Sequence, residues 1–131
     1  MTGRHSPKTY IGKAERALAT AHLTLRANDA DGACDRAYYA MFNAAHAALF
    51  ALGVESDTRP VKTHSGLVAK FSQDVVVAGH LPAACGRDLA NVQKYRQVAD
   101  YTAESVDAAD AAWSVDRAAA FISAVKKKFG L

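Results

Sequence analysis

The segment GACDRAYYAMFNAAHAALFALG, residues 32–53, constrains the fold more than any other part of the chain. Drawn as a helix at about 100° per residue, it places Ala33, Ala37, Met41, Ala44, Ala48 and Leu52 on one side. The opposite side carries Arg36, Tyr39, Phe42, Asn43, His46 and Phe50, where a simple surface helix would carry Lys, Glu and Gln. A helix furnished on both sides belongs in the middle of a bundle or in a subunit interface.

The rest of the chain supplies helices to surround it. Ile11, Ala14, Leu18, Ala21 and Leu25 predict a first helix over about 7–28, with Pro7 in its first turn and a break at Asn28, Asp29 and Gly32. The second helix covers about 32–52 and stops at Gly53. A third, about 63–77, carries Leu67, Val68 and Phe71, and the run Val75, Val76, Val77 continues that stripe rather than forming a strand. A fourth covers about 82–101. A fifth starts at Asp107 or Asp110 and runs through Trp113, Ala120, Ile122, Val125 and Phe129. The expectation is an all-α, antiparallel bundle of about five helices, one domain over 1–131, with no repeat or linker to divide it.

Composition narrows the function classes. Half of the 131 residues are hydrophobic and 22% are charged, the balance of a globular protein. The amino-terminal residues contain no apolar run, which predicts neither a signal peptide nor an anchor, and no later stretch has the length to span a bilayer. Cys34 and Cys85 fit no metal or redox spacing and read as reduced core thiols of a cytoplasmic protein. A net charge of +3 is compatible with an anionic partner. Its densest cluster, Lys126, Lys127 and Lys128, reads first as the complement to a helix dipole. No His/Asp/Glu set has ligand spacing and no glycine-rich phosphate loop is present, so no metal, no cofactor and no P-loop chemistry are expected.

Arg96 is the anomaly of the fourth helix. Cys85, Leu89, Val92 and Ala99 form an apolar stripe and Arg96 falls within it, with Asp100 one turn on. Arg96 and Asp100 can pair as a structural bridge between helices, yet a charge pair half-removed from water is seldom a net gain in stability. An arginine fork also suits phosphate. On the second helix Arg36 and Asn43 stack seven apart, with His46 a turn beyond. They read either as a polar pocket or dimer seam, or as polar groups that satisfy one another. In VKTHSG, residues 61–66, Thr63 or Ser65 can cap a helix start flanked by Lys62 and His64, a place that binds anions and that equally describes an ordinary cap.

Three stretches together resemble the HEPN family: Asp35-Arg36-Ala37-Tyr38-Tyr39-Ala40-Met41-Phe42, matching a motif S-R-A-Y-Y-A-M-F with Asp for Ser; Lys62 to Gly66, matching K-T-H-S-G; and Arg96 to Tyr101, matching R-x-x-A-D-Y. The three occur in order across essentially the whole chain. The resemblance implies a four- or five-helix bundle that dimerises, encoded beside a minimal nucleotidyltransferase as its antitoxin-type partner. It also implies a metal-independent ribonuclease activity, carried by an arginine followed after four to six residues by histidine.

Arg96 corresponds to that arginine, but after four intervening residues stands Tyr101, and no histidine follows it. RNA cleavage needs a base for the 2′-hydroxyl proton, and a phenol of pKa about 10 serves poorly where an imidazole serves well. The leading expectation is therefore an RNA- or nucleotide-binding HEPN protein with a degenerate Arg…His motif. Arg96 would grip phosphate, Asp100 would hold its guanidinium, and Arg36, Tyr39, Asn43 and Lys62 would line the site. Tyr101 would stack or, by the resemblance, accept a nucleotidyl group. The alternatives are an active endoribonuclease using a displaced His46 or His64, and a non-enzymatic dimeric interaction module.

Overall fold

The computed structural model describes residues 5–131, so the reading of the extreme amino terminus falls partly outside the described residues. Five α-helices follow one another: α1 (Pro7–Arg26), α2 (Ala30–Ala51), α3 (His64–Phe71), α4 (Ala83–Tyr101) and α5 (Ala108–Phe129). A π-helical segment, Ser72–Val77, extends α3. Among the described residues there is no strand, only an isolated bridge between Ser56 and Arg59. The all-α bundle expected from the sequence is the architecture observed.

Local chemistry sets the ends. Ser6 accepts from the Thr9 N–H and caps α1, with Pro7 next to it. The helix stops at Arg26, two residues before the expected boundary, because Asn28 turns left-handed at φ 63°. Asp29 then caps α2 by accepting from the Gly32 N–H at 2.9 Å, so α2 begins at Ala30 and Gly32 lies inside its first turn. A Cβ at Gly32 would run into the Asp29 carboxylate and come within 2.7 Å of Thr24 Cγ2. The cap therefore requires glycine there, and the residue read as a breaker is part of a start. The three valines of 75–77 do continue the helix, but with π geometry: Val75 is buried and Val77 exposed. At the far end, Gly130 closes α5 at φ 66° and Lys126, Lys127 and Lys128 occupy its last turn, as the dipole reading expects.

Helix α2 is the axis of the bundle, touching α1, α3, α4 and α5. Twelve of its residues are buried, among them the expected Ala33, Ala37, Met41, Ala44 and Ala48. Tyr38, Leu49 and His46 are buried as well. The small alanines admit close helix approach, while Phe71, Leu67, Leu89, Val92 and Val125 fill the volume around them. Each such fully buried side chain contributes on the order of 1.5–3 kcal/mol. Polar ties fix the arrangement at the periphery: Arg117 donates to Asp88 at 2.8 Å between α5 and α4, and Lys126 to Glu15 at 3.1 Å between α5 and α1. Asp31 accepts from the Val106 N–H at 2.7 Å, holding the α4–α5 connection against the start of α2. Both cysteines are buried and free, and burial pushes the Cys34 thiol up to about 11.

Candidate functional site

The stripe Cys85, Leu89 and Val92 turns α4 toward the core, and Arg96 follows one turn later on the same side. Its side chain is 12% exposed. The guanidinium carbon lies 4.9 Å from the centre of the Tyr38 ring and 5.3 Å from that of Tyr39, so both α2 tyrosines contact the cation. Nη2 reaches the Tyr39 hydroxyl at 3.4 Å, a long hydrogen bond. Nε stands 3.1 Å from Asp100 and 3.5 Å from Asp35. Although both carboxylates are near, the buried Nε has no hydrogen-bond partner among the described residues. The ion pairs are thus Coulombic, and the guanidinium's one hydrogen bond among the described residues is the long one to Tyr39.

Asp35 supplies the bridge that sequence reasoning had given to Asp100. Asp100 sits on the same helix as Arg96, and it is Asp35 that ties α4 to α2. Burial works against the charge of Arg96, but Tyr39, Asp100, Tyr38 and Asp35 outweigh it and hold the guanidinium above its ordinary value. Asp35 also pairs with Arg36 at 3.2 Å.

His64 adjoins the cluster. Thr63 accepts from the Gly66 N–H at 2.9 Å and caps α3, which presents the His64 imidazole to α2. Nδ1 shares a hydrogen bond with the Tyr38 hydroxyl at 2.8 Å. Tyr38, wholly buried, stands between the imidazole and the Arg96 guanidinium, and burial pushes its phenol up to about 12. Burial first, then the charges of Arg96 and His46, holds His64 below the ordinary histidine value, which favours the neutral imidazole near neutrality.

That displacement carries a pH signature. The unfolded chain binds the His64 proton more tightly than the folded chain does, so the stability contributed here is present above about pH 6.5 and falls as the solution is acidified. Denaturant midpoints of wild type and His64→Gln, followed from about pH 8 to 5, should converge as the pH drops. Parallel profiles would show that the imidazole titrates as it does in the unfolded chain.

His46 occupies different surroundings. It is 5% exposed, and its Nδ1 donates to Glu55 at 2.6 Å, while Glu55, 2% exposed, also accepts from the Val61 N–H at 2.8 Å. The imidazole stacks on Tyr10 at 4.7 Å and meets the edge of Phe42 at the same distance. It fastens the 52–63 loop to α2. Of the two candidate histidines, His64 is the one with solvent access.

The remaining candidates divide. Arg36 lies 4.9 Å over the Tyr39 ring, so the two guanidinium groups of Arg36 and Arg96 both contact Tyr39. Asn43 donates to the Tyr39 carbonyl at 2.9 Å, one turn back on α2. Arg36, Tyr39 and Asn43 face a groove beside α1. Lys62 and Tyr101 are exposed, Tyr101 at 75%, and neither hydrogen-bonds to the Arg96 cluster. Among the described residues, no group of three His, Cys, Asp or Glu side chains is placed to hold a metal ion, and no helix is long and apolar enough to cross a membrane.

Comparison with known proteins points the same way as the motifs. The HEPN domain family matches residues 8–128. The UPF0332 protein glr0978 of Gloeobacter violaceus is 36% identical over 91 residues, which cover 70% of this chain and 68% of that protein. A Methanocaldococcus jannaschii protein named "Putative toxin MJ0605" is 27% identical over 124 residues, 95% of this chain and 89% of that one.

Proposed function

This chain belongs to the HEPN domain family, and on that premise we propose that it binds single-stranded RNA or a nucleotide through the Arg96 cluster, as the toxin-like half of a two-protein system. The observation that carries the reading is the state of Arg96: held almost wholly out of water against two tyrosine rings, with a single long hydrogen bond, to the Tyr39 hydroxyl, made by its guanidinium among the described residues. A fixed arginine with a free donor is preorganised for an anion, because little side-chain entropy remains to be lost on binding. Asp35 and Asp100 are each about one-third exposed, so their hold on the guanidinium is screened by water and a phosphate can compete for it. The relative named a toxin supports the toxin-like role. The resemblance supplies the other half, a minimal nucleotidyltransferase, and a homodimeric state. Tyr101, exposed at the end of α4, is open to such an enzyme as an acceptor of a nucleotidyl group.

Fluorescence anisotropy with a labelled RNA 12-mer, beside calorimetry with AMP and ATP, tests the proposal. Saturable binding of at least one of these by wild type is expected; no binding at low salt would remove the reading.

His64 favours a second reading, that the protein also cleaves RNA. Its neutral imidazole, joined to Arg96 through Tyr38, would take the 2′-hydroxyl proton while Arg96 stabilises charge on the attacked phosphate; the 2′-oxygen displaces the 5′-oxygen, which leaves with a proton from water. RNA cut in the presence of EDTA by wild type, and left intact by His64→Ala, is the required result. Intact RNA with wild type across about pH 5–9 leaves binding alone.

A further inference from the structure

The groove beside Tyr39 has its opposite wall on α1, where Lys13, Arg16 and Thr20 face Arg36, Tyr39 and Asn43 of α2. Its volume is about 410 Å³, within the roughly 300–1,000 Å³ of sites that hold small molecules or parts of larger ones. Three cations line it and no carboxylate does. Lys13 and Arg16 are exposed and lie within 4 Å of no carboxylate among the described residues, whereas Glu15, between them in sequence, turns to the other side of α1 and pairs with Lys126. The arrangement follows from helical spacing: positions 13, 16 and 20 share one side of α1, as 36, 39 and 43 share one side of α2.

Arg96 does not line the groove; the Tyr39 ring, which does, stands between the two. Arg36 borders the groove and lies over the Tyr39 ring, and Arg96 contacts that same ring from α4. Beyond Lys13 and Arg16 come Arg36 and then Arg96, with Tyr39 and Phe42 interleaved and the Asp35 carboxylate paired to both of the last two guanidinium groups. Positive charge alone would suit any polyanion. Layered rings and guanidinium planes add surfaces on which bases stack, and that combination is the signature of single-stranded nucleic acid.

We infer that this α1–α2 groove is a strand-binding track: it holds the sugar-phosphate backbone and a base of single-stranded RNA on one side of the nucleotide gripped by Arg96. The inference rests on the functional reading above and extends it, since it makes the ligand an oligonucleotide rather than a mononucleotide. Lys13 and Arg16 contact phosphates, Arg36 and Phe42 present flat surfaces to a base, and Asn43 and Thr20 offer hydrogen bonds.

The test uses the full chain, an RNA 12-mer, an abasic oligomer of equal length, and AMP. Lys13→Gln/Arg16→Gln should bind the RNA at least ~10-fold more weakly and reduce the slope of log K against log salt by about 1.4, at ~0.7 per lost phosphate contact. Its AMP affinity and Tm should be unchanged, because both replaced side chains are exposed. The abasic oligomer should bind wild type ~5-fold or more weakly than RNA, reflecting lost stacking. Equal RNA affinity and equal slope in the double variant overturn the track, even if Arg96-dependent AMP binding survives and the functional reading stands. Equal binding of abasic and normal oligomers overturns it too, and leaves a polyanion- or acidic-protein-binding face. Failure of wild type to bind any of the three probes overturns the track, and failure to bind ATP as well removes the functional reading with it.

Discussion

Glu55→Ala lowers the stability of this chain by about 3–5 kcal/mol, the loss that follows when one partner of a buried pair is removed. In a domain of this size that is a fall of roughly 10 °C or more in Tm. Glu55 is 2% exposed and its two carboxylate oxygens serve separate partners: Oε1 accepts from His46 Nδ1 at 2.6 Å and Oε2 from the Val61 N–H at 2.8 Å. Alanine leaves the buried His46 donor and the part-buried Val61 N–H unanswered, and a fully buried orphan costs about 1–3 kcal/mol. The loop between α2 and α3 is then released from the helix, and with it the segment that delivers His64 to Tyr38. Glu55→Gln keeps an acceptor for one donor and should lose less than half as much. Thermal unfolding followed by circular dichroism decides the matter, and a Glu55→Ala variant within 1 kcal/mol of wild type would show that the pair is dispensable.

The largest functional effect belongs to Arg96. Arg96→Ala should weaken RNA or nucleotide binding by roughly 10- to 100-fold, corresponding to the ~1.5–3 kcal/mol of hydrogen bonds made to a charged group. Stability should fall as well, because Asp35 and Asp100 lose the cation between them; both are partly exposed, so this cost is smaller than at Glu55. Arg96→Lys separates binding from folding. A lysine retains the positive charge between the carboxylates but lacks the planar fork that can contact a phosphate and two rings together. It should recover most of the stability and little of the affinity. Equal affinity in wild type and both variants would reduce Arg96 to a structural bridge between helices.

How much of this could be read from the sequence depended on whether a feature was carried by one helix or by two. The bundle, the central place of α2 and the anomaly of Arg96 each follow from periodicity within a single element, and each was legible. So was the neighbour Asp100, one turn away on the same helix. Asp35 was not, because its contact with Arg96 crosses 61 positions and depends on how α2 and α4 are rotated about their axes. The same rotation buried Tyr38, which shares neither of the two faces drawn on α2, between Arg96 and His64. A two-faced drawing understates a helix with neighbours on four sides. Lys13 and Arg16 were missed for a related reason: on α1 alone they are ordinary surface cations, and only the opposing Arg36 and Tyr39 make a groove of them. Gly32 misled in the opposite way, since a glycine that admits a cap and one that breaks a helix are written with the same letter.

The histidines show why chemistry does not follow from residue type. His46 and His64 both lie in motif stretches, and both make one strong side-chain hydrogen bond. His46 is sealed beneath a loop by a carboxylate. His64 rests on a phenol at the edge of the Arg96 cluster, with part of its ring open to solvent. Burial and partner, neither visible in the sequence, separate the histidine that fastens a loop from the one that borders the Arg96 cluster.

The central claim is that the Arg96 guanidinium receives the phosphate, and the side-chain N–H resonance of its Nε is the most direct witness. In ¹⁵N-labelled protein titrated with an RNA 12-mer, that resonance should shift saturably, with the same midpoint as the anisotropy of the labelled RNA. RNA that binds by anisotropy while the Arg96 Nε–H signal stays where it was would contradict the account.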